Sequence, residues 1–149
     1  MAIWQFEYMI IPKGRQLQDY TKEQIISWKN VEILKDSIIK LSQILSRKES
    51  WSSEIHQYGD KNSSCMKLIY EDNCLEEIGC RFDLRDLTKG MLILVIEWIN
   101  EIRGEILYED YIYQADIDTL VVLMKNSRTA KFCGDPQDYI KQISGETDI

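Results

Sequence analysis

Leu75-Glu76-Glu77-Ile78-Gly79-Cys80-Arg81-Phe82-Asp83-Leu84-Arg85 is the stretch on which the fold turns. Ile78, Cys80, Phe82 and Leu84 alternate with Gly79, Arg81, Asp83 and Arg85, so an extended backbone sends the two sets to opposite sides. This is the pattern of a sheet strand with one buried and one wet face. Just upstream, Cys65 to Tyr70 reads as a second strand, and Glu71-Asp72-Asn73 joins the two into a hairpin. If Met66, Leu68 and Tyr70 share the buried face, the register must set them against Ile78 and Cys80. A two-residue turn at Asp72-Asn73 would pair Cys65 with Cys80 and break that match, so a three-residue loop is expected.

Outward from the hairpin, Ile3 to Ile11 carries Trp4, Phe6, Tyr8 and Ile10 on one side and stops at Pro12-Lys13-Gly14, which predicts a first strand. Thr21-Lys22-Glu23-Gln24 has the form of a capping box opening a short helix through Trp28. Asn30 is placed to cap a second helix, with Val31, Leu34, Ile38, Leu41 and Leu45 on one side. Ser46 to Asn62 reads as a polar connection. Beyond the hairpin, Thr88 to Ile102 predicts an apolar helix with Arg103 in its last turn and Gly104 as its stop. Ile106 to Tyr108 predicts a fourth strand, and Ile117, Leu120, Val121 and Met124 a further helix. Asp135-Pro136 opens a last helix with Tyr139, Ile140 and Ile143 on its apolar side. The expected fold is one α+β domain over residues 1–149, a ferredoxin-like four-stranded antiparallel sheet packed by helices with additional C-terminal helices.

A chain of 149 residues buries roughly 70% of its unfolded surface, enough for a core without a metal or disulfide staple. Acidic residues outnumber basic ones by 25 to 18, a formal charge of -7, which disfavours nucleic acid and anionic membranes and favours a basic protein partner. The same acidity also serves plain solubility. Met1-Ala2-Ile3-Trp4-Gln5 lacks a basic stretch followed by an apolar run, and the longest apolar run, Met91 to Ile96, is far too short to span a bilayer. A cytoplasmic location is expected, with Cys65, Cys74, Cys80 and Cys133 as free thiols.

The lone histidine, His56, lies in Trp51-Ser52-Ser53-Glu54-Ile55-His56-Gln57-Tyr58-Gly59-Asp60, where serines, carboxylates and an imidazole crowd one segment. A small enzyme or ligand-binding domain built on Glu54, His56 and Asp60 is the alternative reading, and it requires a pocket holding His56. Triads are assembled by geometry across a fold, and no nucleophile-elbow pattern accompanies these neighbours. Zinc spacings, a calcium loop and phosphate-cradling glycine motifs are missing from the sequence, so no cofactor is expected. Glu77, Arg81, Asp83 and Arg85 should emerge on the wet face, where arginine forks grip a partner's carboxylates or simply pair with neighbouring strands. Trp51, in a polar segment, is the tryptophan best placed to anchor an interface. A homo-oligomer is a third reading, with a large apolar surface patch as its sign.

Four segments carry a resemblance. They are Trp4-Gln5-Phe6-Glu7-Tyr8-Met9-Ile10-Ile11-Pro12-Lys13; Ser50-Trp51-Ser52-Ser53-Glu54-Ile55 leading to Tyr58-Gly59-Asp60; Arg81-Phe82-Asp83-Leu84-Arg85; and Ser127-Arg128-Thr129-Ala130-Lys131-Phe132-Cys133-Gly134-Asp135-Pro136. Spread over nearly the whole chain, they resemble bacterial polymorphic-toxin immunity proteins of the contact-dependent inhibition type. The resemblance implies a non-enzymatic protein that neutralises a toxin made beside it in the cytosol by covering the active site or a neighbouring surface. It further implies an interface drawn from Glu54, Asp60 and Asp83, with Trp51 and Tyr58 as aromatic anchors.

Overall fold

Period-two burial marks the first element: Phe6, Tyr8 and Ile10 are buried while Glu7 between them is exposed, which makes Gln5–Pro12 a strand (β1). The computed structural model describes residues 5–14, 27–60 and 62–127. After β1 come α1 (Lys35–Ile44), β2 (Arg47–Lys48), β3 (Ile55–Tyr58), β4 (Cys65–Glu71) and β5 (Cys74–Asp83). They are followed by α2 (Lys89–Glu101), β6 (Gly104–Tyr108), β7 (Tyr111–Tyr113) and α3 (Ile117–Lys125). The strands form a single antiparallel sheet of seven in the order β2-β3-β4-β5-β1-β6-β7.

A four-stranded ferredoxin-like sheet is therefore not what the chain builds. The four strands expected from the sequence are neighbours, but β2 and β3 extend one edge and β7 the other. Both β2 and β3 come from the segment expected to be a polar connection. Edge strands need less apolar patterning than central ones, and Arg47-Lys48 at the outermost position is a charged edge of the kind that discourages further pairing. On the far side, Glu109 and Asp110 adopt φ 47° and 67°, the left-handed pair of a two-residue hairpin turn, and fold β7 back on β6.

The β4–β5 hairpin corrects the expected loop while keeping the expected faces. Met66 opposes Cys80 and Leu68 opposes Ile78. The turn is nevertheless the two-residue Asp72-Asn73, with φ 51° and 64°. What reconciles the two is a bulge: pairing shifts between Ile69↔Glu77 and Tyr70↔Leu75, leaving Glu76 as an extra residue that restores the match of apolar faces. Glu76 also docks the 27–28 segment, its carbonyl accepting from Trp28 N at 3.0 Å and its carboxylate from Ser27 Oγ at 2.6 Å. Ser27 and Trp28 are not helical here, and the remainder of that expected helix, with its capping box, lies outside the described residues.

Asn30, at φ 69°, is a left-handed turn residue and not the cap of α1, which begins at Lys35 after an extended Leu34. The helix α2 does start as expected, with Thr88 Oγ1 accepting from Met91 N. Its exit differs: Arg103 takes the left-handed φ of 58°, and Gly104 already belongs to β6. Smallness is what matters at Gly104, since a Cβ there would stand 2.9 Å from Ile10 Cγ2 and 3.1 Å from Ile99 Cγ2. Asp116 caps α3 by accepting from Thr119 N at 2.7 Å. The helix expected after Asp135-Pro136 lies outside the described residues.

One sheet face packs against the helices. Phe6, Ile10, Leu68, Ile78, Phe82 and Ile106 meet Leu41, Leu92, Val95, Trp98, Ile99, Leu120 and Met124 in a continuous core. Two indole donors tie it together: Trp98 Nε1 donates to Ser37 O and Trp28 Nε1 to Ile10 O, each at 2.7 Å. Leu92, Val95, Ile96, Trp98 and Ile99 of α2 are spent on this contact, while Leu94 stays exposed. No helix among the described residues is long and apolar enough to cross a membrane.

Candidate functional site

On the second face of the sheet, side chains alternate with those of the core. Register sets Lys67, Gly79, Met9, Leu107 and Ile112 in one row across β4, β5, β1, β6 and β7, with Cys65, Arg81 and Glu7 in the row beside it. Gly79 sits near the middle of the first row. Among the described residues a Cβ built on it would find only Met9 Sδ, at the ordinary contact distance of 3.8 Å, so the missing side chain leaves a hollow in the sheet surface. Around it lies a groove of about 680 Å³, walled by Met9, Lys67, Ile69, Glu77, Arg81 and Leu107 and reaching Glu7, Glu109 and Asp110.

Charge is unevenly spread in the groove. Four carboxylates, Glu7, Glu77, Glu109 and Asp110, line it against two cations, Lys67 and Arg81. Lys67, Glu77 and Arg81 stand on β4 and β5, with Arg81 opposite Glu7 of β1, and Glu109 and Asp110 lie in the β6–β7 turn. Burial, and then the neighbouring Glu76, push the Glu77 carboxyl above its usual range. The Cys65 thiol at the groove wall is also raised by burial, partly offset by Arg81 and Lys67. On the core side, burial pushes Cys80 up to about 12. Both thiols are poor nucleophiles at neutral pH, because the thiolate is the reactive form.

The residues selected from the sequence are not gathered in one place. Trp51, 86% exposed, and Glu54, also exposed, occupy the β2–β3 connection. That connection runs into Ile55, whose cross-strand partner Ile69 lines the groove. Arg81 is in the groove. Asp60 is exposed just past β3, close enough to act electrostatically on Cys65.

Tyr58 and Asp83 are corrections. Tyr58 points to the core at 4% exposure, with the Arg47 guanidinium 5.4 Å above its ring, so it is a packing residue and not an exposed anchor. Asp83 is buried at 1%. Its Oδ1 accepts from Arg85 N and Nε at 2.9 and 3.0 Å and its Oδ2 from Arg85 Nη2 at 2.8 Å. Burial by itself would raise this carboxyl, but the Arg85 hydrogen bonds and charge outweigh it and hold the group below its usual value. Asp83 and Arg85 thus staple the turn after β5, and the wet-face expectation fails at Asp83 because the strand ends there.

His56 shares the core side of β3, opposite Leu68, with its ring 4.5 Å from that of Tyr70. Burial, then Arg47, lower its pKa, against a Ser53 backbone hydrogen bond that raises it. It does not line the groove. Glu54 precedes β3 and Asp60 follows it, so five residues, four of them strand rising about 3.3 Å each, separate them. The strand holds the two carboxylates of the catalytic reading at opposite ends.

Glu7, Met9, Lys67, Leu107, Glu109 and Asp110 went unselected in the sequence. The available signal was Gly79, since a glycine inside an otherwise well-patterned strand marks a place where something approaches the backbone. No family model, no curated protein and no solved structure matches this chain.

Proposed function

We propose that the chain acts by binding a basic partner protein through the groove face. Following the resemblance to immunity proteins, we take that partner to be a toxin made beside it and neutralised in the cytosol. The observation that carries the reading is the groove itself: an apolar floor around Gly79 with carboxylates in excess of cations, on a chain of formal charge -7. Opposite charge speeds encounter and orients the partner, while the apolar floor holds it once docked. Trp51 supports the same reading as a large aromatic side chain left in solvent in the β2–β3 connection.

The test is to co-express the chain with the protein encoded beside it and to look for co-purification and for rescue of growth when that neighbour is toxic. A one-to-one complex whose association slows as salt is raised is the expected result. Absence of both co-purification and rescue would sink the reading. Within such a complex, Trp51→Ala should weaken affinity by about 2 kcal/mol, roughly thirty-fold, if Trp51 is an anchor.

A further inference from the structure

The helices cover one face of the sheet, α2 touching both α1 and α3, and their outer surfaces look away from it. Charge sets that outer surface apart from the rest of the chain. Lys35, Lys40, Lys89 and Lys125 balance Asp36, Glu97, Glu101 and Asp118, so the three helices are neutral and the formal charge of -7 lies elsewhere. Each helix also leaves one large apolar side chain in solvent, Ile39, Leu94 and Val122 in turn. Ile39 stands two residues before the buried Leu41, about 200° round the helix axis, and is accordingly 61% exposed. Lys40 and Gln43, its next residue and its neighbour one turn on, belong to the wall of a hollow of about 330 Å³ between α1 and α2, whose apolar lining is Ile44, Leu94 and Trp98. A knob beside a hollow is self-complementary, because a two-fold axis carries the knob of each copy to the hollow of the other. We infer that this helix face joins two copies of the chain, α1 of each lying over α2 of the other, with Ile39 entering the hollow against Ile44, Leu94 and Trp98.

Charge selects a second copy as the occupant. On α1, Lys35 and Lys40 outnumber Asp36, and on α2, Glu97 and Glu101 outnumber Lys89. Laying α1 of each copy over α2 of the other therefore sets a net positive helix against a net negative one, twice. Lys40 and Glu101 already pair at 2.7 Å within one chain, so covering them strands no charge. Two chains of charge -7 repel each other least across a neutral face, whereas a basic partner finds no net charge there to recognise. The inference goes beyond the partner-binding reading, which uses the opposite face of the sheet.

Sedimentation equilibrium of the full chain, from micromolar to millimolar concentration, should show a reversible equilibrium between one chain and two. Ile39→Gln keeps the net charge and changes an exposed side chain, so the fold should stand while dimerisation weakens at least ten-fold. If that variant does not fold, Leu94→Gln on the wall of the hollow serves as the second probe, with the same direction of effect. A chain that stays monomeric throughout overturns the inference. So does a dimer indifferent to these substitutions, which would place the contact on another face. Loss of a toxin complex on Ile39→Gln would assign the helix face to the toxin and overturn it as well. A dimer disrupted by Ile39→Gln, with no toxin complex formed by the unchanged chain, upholds the inference and sinks the partner-binding reading alone.

Discussion

The two faces of one sheet are made from alternate residues of the same strands, yet they obey opposite constraints. Under the helices, Phe6, Leu68, Ile78 and Phe82 are each within 1% of full burial, and the polar groups reaching that layer are tied down, as the indoles of Trp28 and Trp98 are. On the other face, one residue along each strand, stand Glu7, Lys67 and Arg81 around a glycine. Placing a charge in the covered layer costs several kcal/mol of desolvation, a cost that the exposed Glu7 escapes on a face where a small cluster around Ile11 and Leu107 is buried with the Cys65 thiol. Sensitivity to substitution should therefore follow strand parity more than position along the chain.

The sharpest way to break this contrast is a pair of truncations. Phe82→Ala should cost about 3–5 kcal/mol in urea unfolding. Lys67→Ala, on the opposite face of the neighbouring strand, should stay within about 0.5 kcal/mol. Similar losses at both sites would mean that the second face is as tightly packed as the first.

Two glycines sharpen it next. Gly59 sits at φ +88°, and a Cβ there would collide with the Ser64 carbonyl oxygen, so Gly59→Ala should cost about 1–3 kcal/mol. Gly79→Val, whose Cβ would meet Met9 Sδ at an ordinary contact distance of 3.8 Å, should leave the melting temperature essentially unchanged. A large loss there would show that the hollow is filled in the folded protein.

A smaller effect concerns the strand end, where the wet face is sealed by Asp83 and Arg85. Since the folded pKa of Asp83 is depressed, its contribution is fully present above the ordinary carboxylate range and is lost as pH falls through the lower folded value. Asp83→Asn should cost about 1 kcal/mol at neutral pH and flatten the acid limb of the stability curve below about pH 4. An unchanged limb would place the acid sensitivity on other carboxylates. Smallest of all, Trp51→Ala should leave unfolding free energy within about 0.5 kcal/mol, since the side chain is 86% exposed.

Much of the central architecture was legible before the fold was seen. The alternation through Ile78, Cys80 and Phe82 identified both a strand and its buried face, and Thr88 with Met91 to Ile99 identified α2 and its start. Legibility failed where a residue answered to a distant neighbour. Glu76 is a bulge because Met66 and Leu68 must face the core despite a two-residue turn. The burial of Tyr58 was not legible because β3, which turns it to the core, lies in a segment that reads as a polar connection. Of the candidate interface, Trp51 was readable as an aromatic in a polar setting, but the groove was not, because its members come from β1, β4, β5, β6 and a turn.

Composition, charge and short-range periodicity are properties of neighbouring residues, and they determined on their own that this is an acidic α+β chain with a hairpin whose strands carry apolar and polar faces. Tertiary structure alone decided that the sheet has seven strands, which of its faces the helices cover, and that Gly79 floors a groove lined by four carboxylates and two cations. The physical reason is that strand pairing and helix docking join segments tens of residues apart, such as Met9 with Gly79 and Leu107. Their free energy depends on the whole set of partners and not on any one stretch of chain.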